Sequence, residues 1–272
     1  SDLPGKDPRC SAGSSIDSCP WLGEICGFPL YLWDVKERRT VEVLSLWDEY
    51  DFEIPYTAIS HTWGRWRQRD QPGVDMKPHV PWLIPRNSLF DVERLPDILA
   101  QIPTDTPYIW FDLVCIPQEG CGEELDEELR QAMYMEVACQ ASIFKSAKHA
   151  IAWWNTDSAP ESWDGMRSAI QWMSSVYLDL QFSSGDESPI RIPPWKAHDQ
   201  IRATGLFSLD MTTLPWFSSL WTLQEVCLRP DIWICNKNLE LLTIGDNGAL
   251  VAFNTLVSLA GRVKDTLIRV LN

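Results

Sequence analysis

Glu225 lies in WFSSLWTLQEVCL (216–228), a stretch whose apolar residues recur at helical spacing and which nevertheless carries a Gln-Glu pair. At about 100° per residue, Trp216, Phe217, Leu220, Trp221, Leu223, Cys227 and Leu228 cover one broad face. Gln224 falls inside that face and Glu225 on its edge, so the carboxylate is expected to be partly desolvated, with a raised pKa and a longer electrostatic reach. Two uses fit that position: a catalytic carboxylate, or the ion-pair partner of a neighbouring arginine such as Arg229. A second polar group closes YTAISH (56–61), where Gly64 of His61-Thr62-Trp63-Gly64 permits a tight turn that leaves His61 and Trp63 at a rim. A third, Asp112, interrupts the apolar run YIWFDLV (108–114), which continues to Pro117-Gln118. A buried aspartate needs hydrogen bonds or a positive partner, so Asp112 either clamps adjacent loops or serves a site. Arg65, Arg67 and Arg69 form a local cationic group able to hold one small anionic ligand.

The elements that must position these residues alternate. TVEVLSL (40–46) reads as a half-exposed strand; YTAISH, YIWFDLV, HAIAWW (149–154) and DIWIC (231–235) read as buried ones. Helical patterns occupy 91–102, 123–147 and 162–180, and the C-terminal segment from 248 keeps a helical period to Asn272, as though the chain were a piece of a longer one. Strands alternating with helices predict an α/β fold built on a mainly parallel sheet flanked by helices. In such sheets ligands bind outside the carboxyl ends of the strands, where His61 and Gln118 are expected. Residues 1–27 form a Ser-, Gly-, Pro- and Cys-rich extension without sustained period, and 28–272 a single domain; 73–85 and 183–194 read as loops or insertions.

Composition narrows the function. A formal net charge of −15 disfavours a broad nucleic-acid grip, which requires Lys and Arg to displace counterions. Cys115, Cys139, Cys227 and Cys235 lie in apolar segments, where a free thiol behaves as a small hydrophobe, and a reduced, cytoplasmic setting follows. No apolar run approaches the length of a membrane span. His61, His79, His149 and His198 make no H-x-x-x-H pair, so no metal site is expected. Nor is there a G-x-G-x-x-G fingerprint for a resident dinucleotide cofactor.

Four blocks in order, YTAISHTWG, IWFDLVCIPQ, RQAMYMEVACQASIFKSAKHAIAWW and WFSSLWTLQEV, resemble the successive motifs of the fungal heterokaryon incompatibility (HET) domain. The third departs from the family pattern by extra residues between Met135 and Ile143-Phe144. The resemblance implies an intracellular fungal effector of non-self recognition and regulated cell death. It further implies a flavodoxin-like fold distantly similar to Toll/interleukin-1 receptor (TIR) domains. Ser219-Leu220-Trp221-Thr222-Leu223-Gln224-Glu225-Val226 is similar to the S-x-W-C-x-x-E-L helix whose glutamate is catalytic in TIR domains that cleave NAD, and AISH (58–61) resembles the TIR strand and loop that line the nucleotide pocket. One departure is the insertion at about 155–214, which could be a lid, a partner surface or an extra helical layer.

The activity implied is that of an NAD+ nucleosidase, with NAD+ as substrate and no cofactor. Nicotinamide leaves neutral from a cationic precursor, so one carboxylate facing the cationic sugar can carry much of the stabilisation. In this expectation Glu225 is that carboxylate, Trp63 or Trp221 packs on a ring, Ser60, His61 and the amides near Gly64 orient ribose or phosphates, and Arg65 neutralises the pyrophosphate. Asp112, Gln118 and Gln224 hold the loops or touch the ligand. The alternative is a non-catalytic adaptor that assembles with itself or with a cognate protein.

Overall fold

The computed structural model describes residues 28–46, 54–62, 64–122, 124–155, 163–164, 166–168, 170–175, 216, 219–245, 247–259 and 261–262. Its centre is β3 (Tyr56–Ser60), five residues with every side chain buried. Burial on both faces explains why YTAIS reads as a continuous apolar run rather than an alternating one. The strand pairs in parallel with β4 (Tyr108–Trp110) on one side and β5 (His149–Trp153) on the other, with Ala58 opposite Trp110 and Ser60 opposite Ala152. Beyond β5 lies β6 (Trp233–Cys235), also parallel. Across β4 the sheet turns antiparallel through β1 (Tyr31–Asp34) and β2 (Arg39–Glu42), giving the order β2-β1-β4-β3-β5-β6. The four parallel strands thus follow the doubly wound arrangement in which the chain leaves the first strand toward one edge and later returns to the other, placing the switch point between β3 and β5. A small hairpin, β7 (Thr243–Ile244) with β8 (Ala249–Leu250), follows.

Several sequence expectations are corrected. The run 108–114 is not one strand: pairing stops at Trp110, and Asp112 opens a single helical turn, α2 (Asp112–Cys115), whose amides at Val114 and Cys115 return to the Phe111 carbonyl. TVEVLSL pairs only to Glu42 and then coils into a 3-10 turn over Val43–Leu46. The 91–102 pattern resolves into a 3-10 turn at Val92–Arg94 and the short α1 (Leu95–Leu99). The segment 73–85 does loop, yet Val74, Met76, Val80, Trp82 and Ile84 are buried in the core, with Val74 and Ile84 exchanging backbone hydrogen bonds. Residues 249–250 pair as a strand, and among the described residues the C-terminal helix begins only at 253. Of the 155–214 insertion, helical residues within 163–175 are described: Trp163, Met166, Ile170 and Met173 are buried at helical spacing, and Trp163 meets Trp154 edge-on at 6.2 Å. That part is a helical layer on the core. The expectations for 1–27 and 183–194 fall outside the described residues.

The long helix α3 (Glu127–Ser146) carries its own start signal: the Asp126 side chain caps the Leu129 amide at 2.8 Å, with Glu127 and Glu128 in the first turn and Lys145 in the last, all matched to the helix dipole. Its inward stripe holds Ala132, Glu136, Ile143 and Phe144, and Phe144 meets Trp110 edge-on at 5.6 Å. Glu136 is a buried carboxylate, raised to about 8 by desolvation, whose Oε1 accepts the Leu30 and Tyr31 amides at 2.6 and 3.1 Å and so ties the start of β1 to α3. The helix α4 (Leu220–Leu228) packs beside α3. Arg229, just past it, donates Nη1 to the Phe144 and Ala147 carbonyls at 3.2 and 2.5 Å and pairs with Asp231 through two 2.8 Å bonds. The free carbonyls ending α3 thereby find a donor. Cys115 and Cys235 are buried free thiols, whereas Cys227 is exposed. No described helix is long and apolar enough to cross a membrane.

Candidate functional site

The carboxyl end of β3, the α2 turn after β4, the middle of α3 and the start of α4 enclose a cavity of about 520 Å³, within the range of small-molecule sites. It lies at the carboxyl ends of the parallel strands β3 and β4, the side of such a sheet on which ligands bind. His61, Asp112, Gln118, Gln140, Trp221 and Glu225 all contribute to its wall.

Glu225 is the centre of this arrangement. It is 6% exposed, and it and Thr222 are the buried residues of α4. The expected apolar face is in fact turned outward: Leu220, Trp221 and Leu223 are 80%, 55% and 45% exposed, and Gln224 is exposed and does not line the cavity. The inward face is set by specific bonds instead, since the Thr222 hydroxyl donates to the Trp216 and Ser219 carbonyls and locks the start of the helix. Arg229 does not pair with Glu225; its guanidinium is occupied by Asp231 and the end of α3. What holds Glu225 is neutral. Gln140 of α3 donates Nε2 to Oε1 at 2.9 Å, and Oε2 is buried without a well-formed hydrogen bond among the described residues. Burial pushes the carboxyl up to about 8; the nearby Ser60 hydroxyl and Gln140 amide pull it down, while the Asp112 charge pushes it further up. Ser60, fully buried behind the carboxylate, accepts the Trp216 indole N–H at 2.9 Å, which leaves its own proton free to turn toward Glu225.

On the facing wall His61 and Asp112 form a pair, Nε2 to Oδ1 2.7 Å. The imidazole stacks on Phe111 at 4.2 Å and its side chain is 1% exposed, whereas the Asp112 side chain is 17% exposed toward the cavity. With the carboxylate as acceptor, Nε2 is the donor, and Nδ1 has no partner among the described residues. Asp112 is thus the clamp foreseen, anchoring His61 and accepting Gln118 Nε2 on its backbone carbonyl at 3.2 Å, and it also lines the cavity. Gln118 also donates to Ile116 at 2.8 Å, so its amide is spent on holding the turn.

Gly64 lines the cavity within a 3-10 turn, without the left-handed backbone a tight glycine turn would need, and a Cβ there would meet nothing within 4 Å. Its smallness keeps the cavity open rather than making the turn possible. Trp63 and the Arg65 side chain lie outside the described residues. Of the arginines, Arg67 lines the cavity: its Nη2 donates to the Glu119 and Gly120 carbonyls at 2.5 and 2.9 Å. Gly120 sits at φ +70, and a Cβ there would stand 3.1 Å from that nitrogen, so glycine is required at this position. Arg67 was legible only as one member of the 65–69 group. Gln140 left one faint signal, a polar residue continuing the inward stripe of Ala132 and Glu136 at four-residue spacing.

Fold and cavity together define an α/β domain with a desolvated carboxylate at the carboxyl ends of its parallel strands. The profile of the family described as Heterokaryon incompatibility protein (HET) matches residues 56–225, and the chain belongs to that family. The matched span begins at the first residue of β3 and closes on Glu225. No curated protein and no solved structure matches the chain.

Proposed function

We propose that this HET domain is an NAD+ glycohydrolase acting in non-self recognition and regulated cell death, with Glu225 as its catalytic carboxylate. The observation that carries the reading is a glutamate 6% exposed and lining a cavity, which among the described residues is paired with no cation and keeps one oxygen without a partner. Water attacks the ribose C1′, the bond to nicotinamide breaks with its electron pair going to the ring nitrogen, and the proton from water leaves to solvent, giving ADP-ribose and neutral nicotinamide. Positive charge accumulates on the sugar at the transition state, and a carboxylate in a poorly solvated wall stabilises it far more than one in water. A carboxyl with a pKa of about 8 is mostly protonated near neutral pH in the empty cavity. The cationic nicotinamide ring favours its ionised form, so NAD+ binding releases a proton. His61 and Gly64 border the sugar end, Trp221 offers a ring face at the mouth, and Arg67 supplies positive charge toward the phosphates; Arg65 retains that role as an alternative, whereas Ser60, fully buried and outside the cavity wall, backs Glu225 rather than touching the ligand as expected.

Nicotinamide release from NAD+, followed across protein concentration with mass measured in parallel, tests this. Glu225→Ala and Glu225→Gln, each verified as folded, are expected to lose turnover by about a hundredfold or more. Turnover that survives both substitutions refutes the role of Glu225, and none at any concentration or assembly state refutes the enzyme. A second reading is favoured by the exposed Leu220, Trp221 and Leu223 of α4 beside Tyr134 and Val137 of α3. Apolar residues so placed suit self-association or a cognate protein, and in that reading the domain is a cytoplasmic adaptor and the carboxylate structural.

A further inference from the structure

Resting on the carboxylate reading above, we propose that Gln140 is the positioning residue of the site: its amide holds Glu225 Oε1 from α3 and so fixes the carboxylate in the cavity wall, and because the amide is neutral it does this without cancelling the charge. The two residues are 85 positions apart and meet at 2.9 Å, Nε2 to Oε1. Both line the same cavity. A lysine or arginine at this point would form an ion pair and quench the field that the reaction needs, whereas an aliphatic side chain would leave both oxygens bare. Glutamine does neither.

The other groups around the carboxylate do not substitute for it. Asp112 raises the Glu225 pKa by charge, and its Oδ1 is engaged by His61. The Ser60 hydroxyl approaches from β3 but makes no well-formed bond to Oε2. Arg67 and Glu119 lie in the wall of the same cavity, and the Arg67 Nη2 is directed to the Glu119 and Gly120 carbonyls. Gln140 is thus the well-formed side-chain hydrogen bond to this carboxylate among the described residues.

Two variants of the full chain separate positioning from packing. Gln140→Leu is expected to lower kcat by about tenfold to a hundredfold, the loss of one hydrogen bond to a charged acceptor, with KM changed by about twofold or less. Its acidic limb in the pH–rate profile moves to higher pH, because the ionised form has lost a donor. Gln140→Glu places two carboxyls together. With one proton shared between them the introduced group still donates to Glu225, so turnover rises and then falls with pH as the pair passes from two protons to one to none. A side chain that only fills space produces no such bell. Thermal melting supplies a readout independent of turnover: the Tm lost by Gln140→Leu grows with pH when Glu225 is present and is flat with pH in the E225Q background. An unshifted acidic limb together with a pH-independent Tm loss overturns the proposal. If the wild type releases no nicotinamide, the dinucleotide reading fails, and the melting series alone still decides whether Gln140 tunes Glu225.

Discussion

Replacing Glu225 by Gln should make the protein more stable as it makes it inactive. The carboxyl is raised from 4.5 to about 8 by burial. A group whose folded pKa lies above its unfolded one stabilises the folded chain fully below the unfolded value, and that contribution is lost as pH climbs through the folded value. The window here runs from about 4.5 to about 8. Near pH 7 the unfolded carboxyl is ionised and the folded one mostly is not, a difference of about 2.5 pKa units, or roughly 3 kcal/mol of stability forgone relative to an uncharged isostere. Near pH 5 the same difference is below about 1 kcal/mol. Glutamine can keep the bond from Gln140 Nε2 through its own carbonyl, so little is lost in exchange. Tm should rise by about 6–12 °C near neutrality for a chain of this size and only slightly at acidic pH. The assay is thermal unfolding of both proteins in matched buffers across pH, read as the difference between them. An E225Q protein no more stable than wild type near pH 7, or a difference that does not widen with pH, refutes the desolvated carboxylate.

Glu136→Gln should widen stability with pH in the same direction, since Glu136 is also buried and raised to about 8, yet leave nicotinamide release unchanged because that carboxylate holds the Leu30 and Tyr31 amides rather than the cavity; paired melting and turnover measurements check it. Gly64→Ala should leave Tm within about 1 °C, as its methyl group meets no protein atom, while raising KM by narrowing the cavity; steady-state kinetics decide. Arg229→Met removes donors from the end of α3 and the pair with Asp231, and should cost about 2–3 kcal/mol in denaturant unfolding.

The parallel core was legible because β3, β5 and β6 are buried on both faces and therefore read as compact apolar runs with little ambiguity of type. The antiparallel edge was legible only in part: TVEVLSL marked β2, but YLWD of β1 is too short to alternate visibly, and its place is secured by Glu136, over a hundred positions away. Asp112 was misplaced within a strand because an aspartate opening a single buried turn carries no cap signal when its flanks are all apolar. The α4 reading failed in an instructive way. A helical wheel assumes that the apolar side faces inward, but apolar residues also make up much of a folded surface, and here Thr222 and Glu225 face in while Leu220, Trp221 and Leu223 face out. The wheel did place Glu225 at the edge of a desolvated face, and its burial and raised pKa agree, though the face that is buried is the opposite one. Gln140 was not identified: its place on the inward stripe of α3 marks an inward polar residue, but its partner is created only by the docking of two distant helices.

The bond network at Arg229 fixes one end of α4 like a bolt: the Glu225 carbonyl receives the Arg229 amide at 2.8 Å, and the guanidinium grips the end of α3. Along a helix rising about 1.5 Å per residue, Glu225 stands about 6 Å from that fulcrum and Trp221 about 12 Å. Any tilt about that end consequently swings the indole at the cavity mouth about twice as far as it moves the carboxylate, so the aperture changes faster than the charged group is displaced.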